Sequence, residues 1–202
     1  MKWLRILPMV AALWGLAGPA MADESSTDAR HFIENYIRGS LSIRTDATLA
    51  PDQRRERARA LLHDSYDFAG TPRAILGRYW DHATPDQQSR TLVAVEDYVI
   101  TNYGPRFDRV ANRLKVSGVS VEERHTIVHT VDSDQPDEAI AIDWVLTQPD
   151  PGHWRITDVV VNGFASMEII RQEFTAVLRA NNGDIERLLV ALRQRIAAAD
   201  NG

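Results

Sequence analysis

His125 and His129 stand four residues apart, the spacing that on a helix would aim two imidazoles at one metal ion. The segment Thr126-Ile127-Val128-His129-Thr130-Val131 is β-branched and predicts a strand instead, which spreads the two side chains about 13 Å apart. One metal cannot reach both, so no metal site is expected. His31, His63, His82 and His153 lie among polar neighbours and read as solvated surface. There is no cysteine, which removes thiolate catalysis, zinc–thiolate sites, iron–sulfur clusters and disulfide staples. No G-x-S-x-G occurs, no serine is paired by sequence alone with a histidine and a carboxylate, and no glycine-rich phosphate loop appears. Asp67 and Asp158 could act as an acid–base pair if the fold brought them together, the alternative for both being capping or turn work. No catalytic residue and no cofactor is assigned.

Charge narrows the classes further. The 202 residues carry 23 Lys+Arg against 28 Asp+Glu, a formal −5, which argues against a nucleic-acid binder with a basic face. At the N-terminus, Lys2 and Arg5 precede the apolar run Ile6 to Ala17, then Gly18, Pro19 and the small-residue frame Ala20-Met21-Ala22. This predicts a cleaved secretory signal over residues 1–22 and one domain over 23–202. About 12 apolar residues, broken by Pro8, fall short of the roughly 20 that a spanning helix needs. Losing Lys2 and Arg5 leaves 21 basic residues against 28 acidic, a charge of −7 on the remaining 180.

The elements follow from periodicity. Ser25-x-x-Asp28 before Phe32, Ile33, Tyr36 and Ile37 predicts a first helix to about Ser40, and Pro51 opens a second that reaches Tyr66. Residues 71–80 predict a turn and a short helix. Thr84-Pro85-x-Gln87 supplies a capping box and a first-turn proline for a helix through Leu92, Val95, Val99 and Tyr103, with Gly104-Pro105 as its stop. The period then changes to two, predicting strands over 114–121, 126–131, 139–147 and 153–161. Short connections make them antiparallel neighbours. After Asn162-Gly163 the helical period returns, through Met167, Ile170 and Phe174 and then, past Gly183-Asp184, through Leu188, Leu192 and Ile196. The fold class is therefore α+β, with helices packed on a curved antiparallel sheet.

Several segments together resemble the MlaC family of periplasmic phospholipid carriers, also called the toluene-tolerance family: Tyr66-Asp67-Phe68, Ile75-Leu76-Gly77-Arg78-Tyr79-Trp80, Ala83-Thr84-Pro85-Asp86-Gln87-Gln88, Ile142-Asp143-Trp144, the run Gly152 to Gly163, and Arg171-Gln172-Glu173-Phe174. Order and spacing agree over nearly all of the chain beyond the signal. The chain departs from the usual pattern at Asn162-Gly163-Phe164-Ala165 and at Leu92 and Val95, so the related hopanoid-associated branch, HpnM, stays open for the cargo. The resemblance implies a nuclear-transport-factor-like sheet whose helices enclose an apolar cavity for acyl chains. By strand and helix face, the expected lining is Tyr79, Trp80, Leu92, Val99, Tyr103, Ile142, Trp144, Trp154, Val159, Val161 and Phe164. Arg78 and Arg106 are candidates for a head-group phosphate. The implied setting is a monomer in the periplasm, a non-enzyme that takes phospholipid as cargo from or to an inner-membrane ABC transporter with an MCE-domain subunit and an outer-membrane lipoprotein–porin complex. Two other readings stay open at this level: an enzyme using Asp158 or Asp67 as a base in an apolar pocket, and a scaffold with a filled core.

Overall fold

The computed structural model describes residues 19–68, 70–132, 134 and 140–200. Residues 1–18 of the expected signal lie outside these. The order is α1 (Pro19–Thr45), α2 (Pro51–Ser65), α3 (Thr71–Leu76), α4 (Arg78–His82), α5 (Pro85–Asp108), β1 (Leu114–Glu122), β2 (His125–Asp132), β3 (Ala141–Asp150), β4 (His153–Val161), β5 (Phe164–Ala165), α6 (Ser166–Ala180) and α7 (Ile185–Asp200). Among the described residues, no helix is long and apolar enough to cross a membrane.

Local chemistry explains most boundaries. Thr84 accepts from the Gln87 amide at 3.2 Å while the Gln87 side chain accepts from the Thr84 amide at 3.0 Å, so the expected capping box starts α5. Three helix ends depart from expectation, the simplest being α1, which runs on to Thr45 where a stop near Ser40 was expected. The backbone is already helical at Pro19, so Ser25 caps nothing; Ala20, Met21, Ala22 and Glu24 are all good helix formers. Likewise α5 passes through Gly104-Pro105 to Asp108. Gly104 has no Cβ to meet the proline ring, and the added turn seats Phe107 against Tyr36 and Trp144, ring centroids 6.1 and 5.7 Å away. Packing outweighs the one hydrogen bond that Pro105 cannot donate.

The five strands form an antiparallel meander in the order β1-β2-β3-β4-β5. The short β5 was not expected: Asn162 (φ 49°) and Gly163 (φ 83°) turn the chain back on itself, pairing Val161 with Phe164. Two register breaks decide which side chains face the helices. In β4, Val145 pairs with Asp158 but Leu146 with Ile156, so Thr157 is an extra residue. Strict alternation would put Val159 opposite Trp154 and Ile156; the bulge instead returns Val159 and Val161 to their face, across from Trp144 and Ile142. A second bulge, between Val116 and Gly118 of β1, does the same there.

There are two cores rather than one. The first joins the inner sheet face (Val128, Ile142, Trp144, Leu146, Trp154, Ile156) to Ile33, Tyr36 and Ile37 of α1. The second joins Ile75 and Leu76 of α3, Val95 and Tyr98 of α5, Ile170, Phe174 and Leu178 of α6, and Leu188 and Leu192 of α7. Helix α5 belongs to both, through Val95 and Tyr98 at one end and Phe107 at the other.

Candidate functional site

The eleven expected lining residues divide between these cores. Tyr79, Trp80, Val99 and Tyr103 pack at the margin of the helical core. Ile142, Trp144 and Trp154 are sealed in the sheet core, and Val159 lies at its margin. Leu92 is half-buried, while Val161 and Phe164 are exposed at the β4–β5 turn, Phe164 at 69%. The structure thus gathers the set as two groups and a tip.

From Trp144 runs a chain of rings to which the sequence reading gave no lining role. Trp144 meets Tyr36 edge-on at 5.4 Å, Tyr36 meets Tyr66 at 5.8 Å, Tyr66 meets Phe68 at 5.8 Å, and Phe68 meets His63 at 5.6 Å. Burial pushes the Tyr36 hydroxyl up to about 12 and the Tyr66 hydroxyl well above its usual range, so both rings stay neutral here. The signal for Tyr66 and Phe68 was present in the motif Tyr66-Asp67-Phe68; Tyr36 read as an ordinary helix-face residue and Phe107 lay beyond the expected stop at Gly104-Pro105, and only packing brings them to Trp144.

Several polar groups in and around the cores are tied up in structural roles, while the buried Trp154 Nε1 and Thr91 Oγ1 have no hydrogen-bond partner among the described residues. The Trp144 Nε1 donates to Thr130 Oγ1 at 3.0 Å. Tyr98 donates to Glu173 Oε2 at 2.6 Å, and burial beside that carboxylate pushes its hydroxyl up to about 12. Asp158 accepts from the amides of Val159 (2.7 Å) and Met167 (3.0 Å), holding the first turn of α6; desolvation raises its carboxyl above the usual range and these amides pull it down. Asp67 Oδ1 accepts from the Gly70 amide at 3.3 Å and its carbonyl from Thr71 Oγ1 at 2.5 Å. Both carboxylates do turn and cap work, with no direct bond between them. Arg78 stacks over Tyr79 and Arg106 over Tyr103, 5.2 and 5.9 Å from the ring centroids, and both guanidiniums are exposed. Among the described residues no group of three or more His, Asp or Glu could hold a metal ion.

Two shallow hollows open among the described residues: about 270 Å³ beside Glu34, Ile37, Leu114 and Val116, and about 330 Å³ beside Leu49, Gln53, Arg57 and Ala60. Neither includes an expected lining residue.

Comparison with known proteins adds two findings. The family model described as MlaC protein matches residues 41–194. Among solved structures, the chain is similar to a phospholipid-binding protein from Ralstonia solanacearum in complex with a phospholipid, at 21% identity and a TM-score of 0.67, covering 86% of this chain and 99% of that one. No curated protein matches.

Proposed function

The chain belongs to the MlaC family, and from that premise we propose that it is a soluble periplasmic phospholipid carrier, exported by a cleaved signal over residues 1–22. In this reading it exchanges cargo with an inner-membrane ABC transporter bearing an MCE-domain subunit and with an outer-membrane lipoprotein–porin complex. The observation that carries the binding half is the fold shared, over nearly all of its length, with a protein that holds a phospholipid.

Physics gives such a protein its task. Removing roughly 30 methylenes from water is worth about 24 kcal/mol, so a phospholipid does not cross an aqueous space unaided. Against a bilayer an apolar pocket gains little, and that near-balance permits both loading and release. In this reading the acyl chains enter among the residues at the margins of the two cores, Tyr79, Trp80, Val99 and Tyr103 of the helical core and Val159 of the sheet core, with half-buried Leu92 of α5 beside them. These are partly buried side chains, which part at lower cost than the sealed Ile142, Trp144 and Trp154. Val161 and Phe164 would stand at the rim. A net negative charge keeps the carrier from clinging to anionic membrane surfaces.

Native mass spectrometry of the protein purified without detergent tests the reading. One phospholipid per chain is expected, retained through dialysis and exchanged on incubation with phospholipid vesicles. A chain that stays empty after such incubation would overturn it, and a co-purified lipid without phosphate would replace phospholipid as the cargo.

A further inference from the structure

The outer face of the sheet carries a side-chain relay that the cargo reading does not use. His129 of β2 lies directly across from Asp143 of β3, and its Nδ1 sits 2.8 Å from Asp143 Oδ1; on its other side Nε2 sits 2.9 Å from Ser120 Oγ of β1. A carboxylate can only accept, so Nδ1 carries the proton; in the neutral ring Nε2 is then the acceptor, and Ser120 donates to it. This is the order of contacts that activates a serine: hydroxyl to Nε2, Nδ1 to carboxylate.

The sheet is built so that the three meet. Leu114 and Val116 of β1 pair with Asp132 and Thr130, whose side chains are buried on the inner face. Strict alternation would turn Ser120 inward with them. The bulge between Val116 and Gly118 inverts the alternation, placing Gly118 across from His129 and sending Ser120 to the outer face. His129 and Asp143 keep 35% and 39% of their side-chain surface exposed, so a small molecule in solution can reach them. By register Ile127, Val145 and Val160 share this face and are half-buried, an apolar bed beside the hydroxyl.

We propose that Ser120, with His129 as its base and Asp143 as the positioning residue, is an activated nucleophile that takes the acyl group of small carboxylic esters. In the step, the Ser120 Oγ–carbonyl bond forms and the ester C–O bond breaks. The hydroxyl proton passes to His129 Nε2 and from there to the departing alkoxide or phenolate. Water then cleaves the acyl-serine by the same route, regenerating the hydroxyl and releasing the carboxylic acid. The proposal stands apart from phospholipid carriage, since the relay lies on the face of the sheet opposite the two indoles.

The full chain is treated with an alkyl fluorophosphonate, whose P–F bond breaks as the serine O–P bond forms, and with p-nitrophenyl acetate, and the modified residue is located by peptide mass spectrometry. Ser117 is the internal control, three residues away on the same strand and bonded at 3.3 Å to the His129 carbonyl rather than to an imidazole. Positioned general bases contribute about 10²–10⁴-fold, so Ser120 is expected to react at least about 100-fold faster than Ser117. His129→Gln is expected to bring the two rates together and Ser120→Ala to leave only the slow label at Ser117, both variants remaining folded by circular dichroism. Asp143→Asn is expected to slow acylation, because a neutral amide stabilises the imidazolium formed at His129 less than a carboxylate does, and Asp143→Glu to recover part of the rate. Ser120 reacting no faster than Ser117 in the unaltered protein, or a rate indifferent to His129→Gln, would overturn the proposal and leave the trio a cross-strand tie.

Discussion

Trp144 and Trp154 offer the same substitution in two electrostatic settings. Both indoles are buried, at 1% and 6% exposure. Trp144 Nε1 donates to Thr130 Oγ1, which itself donates to the Ile142 carbonyl at 2.9 Å, so that hydroxyl is used in both directions. Trp154 Nε1 has no hydrogen-bond partner among the described residues. Replacing either by Phe keeps an aromatic ring and removes about the same apolar volume, so the packing loss largely cancels in the comparison. What differs is the N–H. Trp144→Phe forfeits a net hydrogen bond of about 1 kcal/mol and leaves a buried hydroxyl short of a donor, whereas Trp154→Phe removes a buried donor whose burial was already unfavourable by about 1 kcal/mol or more. Trp144→Phe is therefore expected to be the more destabilising by about 2 kcal/mol. Urea unfolding of both variants, compared at unchanged m-value, measures the difference directly. Equal destabilisation, or a larger loss at Trp154, would refute the reasoning and mean that the Trp154 N–H is satisfied in solution.

Three further outcomes follow from the geometry. Glu186 of α7 is held down to about 2 by the Arg90 guanidinium and the Gln87 amide of α5, below its ordinary 4.5. A depressed carboxyl stabilises the fold above its unfolded value and loses that contribution as the pH falls toward about 2, so Glu186→Gln is expected to flatten the melting-temperature profile between about pH 4.5 and 2. Gly183 has φ +80° and a Cβ there would meet the Tyr79 ring at 3.1 Å, whereas at Gly152 (φ +79°) it would meet nothing within 4 Å. Gly152→Ala is expected to lose about 1 kcal/mol for the left-handed backbone alone and Gly183→Ala clearly more, read by the same urea titration. Thr84→Ala removes the acceptor for the Gln87 amide at the start of α5 and is expected to lower stability by about 1 kcal/mol in thermal unfolding.

The parts of the fold legible in the sequence are those governed by short-range rules. The capping box at Thr84 and Gln87, the proline at position 51 and the period-two stretches of β1 to β4 each describe interactions within a few residues, and the helices and strands formed where those rules placed them. Where the reading went astray, something distant intervened. Helix α5 ran past Pro105 because Phe107 had rings to pack against in α1 and β3. Val159 shares a face with Trp154 and Ile156, which strict alternation forbids, because Thr157 is accommodated as an extra residue, a matter settled by pairing with β3 rather than by the composition of β4. The Asn162-Gly163 turn carried a hairpin signal in plain view, which the return of helical periodicity obscured.

The amino-acid sequence by itself determined the fold class, the strand order and the family, because periodicity, caps and motif spacing are properties of neighbouring residues. Only the tertiary structure decided which apolar residues are sealed and which lie at a core's margin, and that Asp158 caps a helix instead of facing Asp67. It alone brought Ser120, His129 and Asp143 into one hydrogen-bonded row. The physical reason is that a face or a partner is set by register, and register is a relation between segments: one extra residue in β1 or β4 inverts every side chain beyond it, and no local rule counts that residue until two strands have paired.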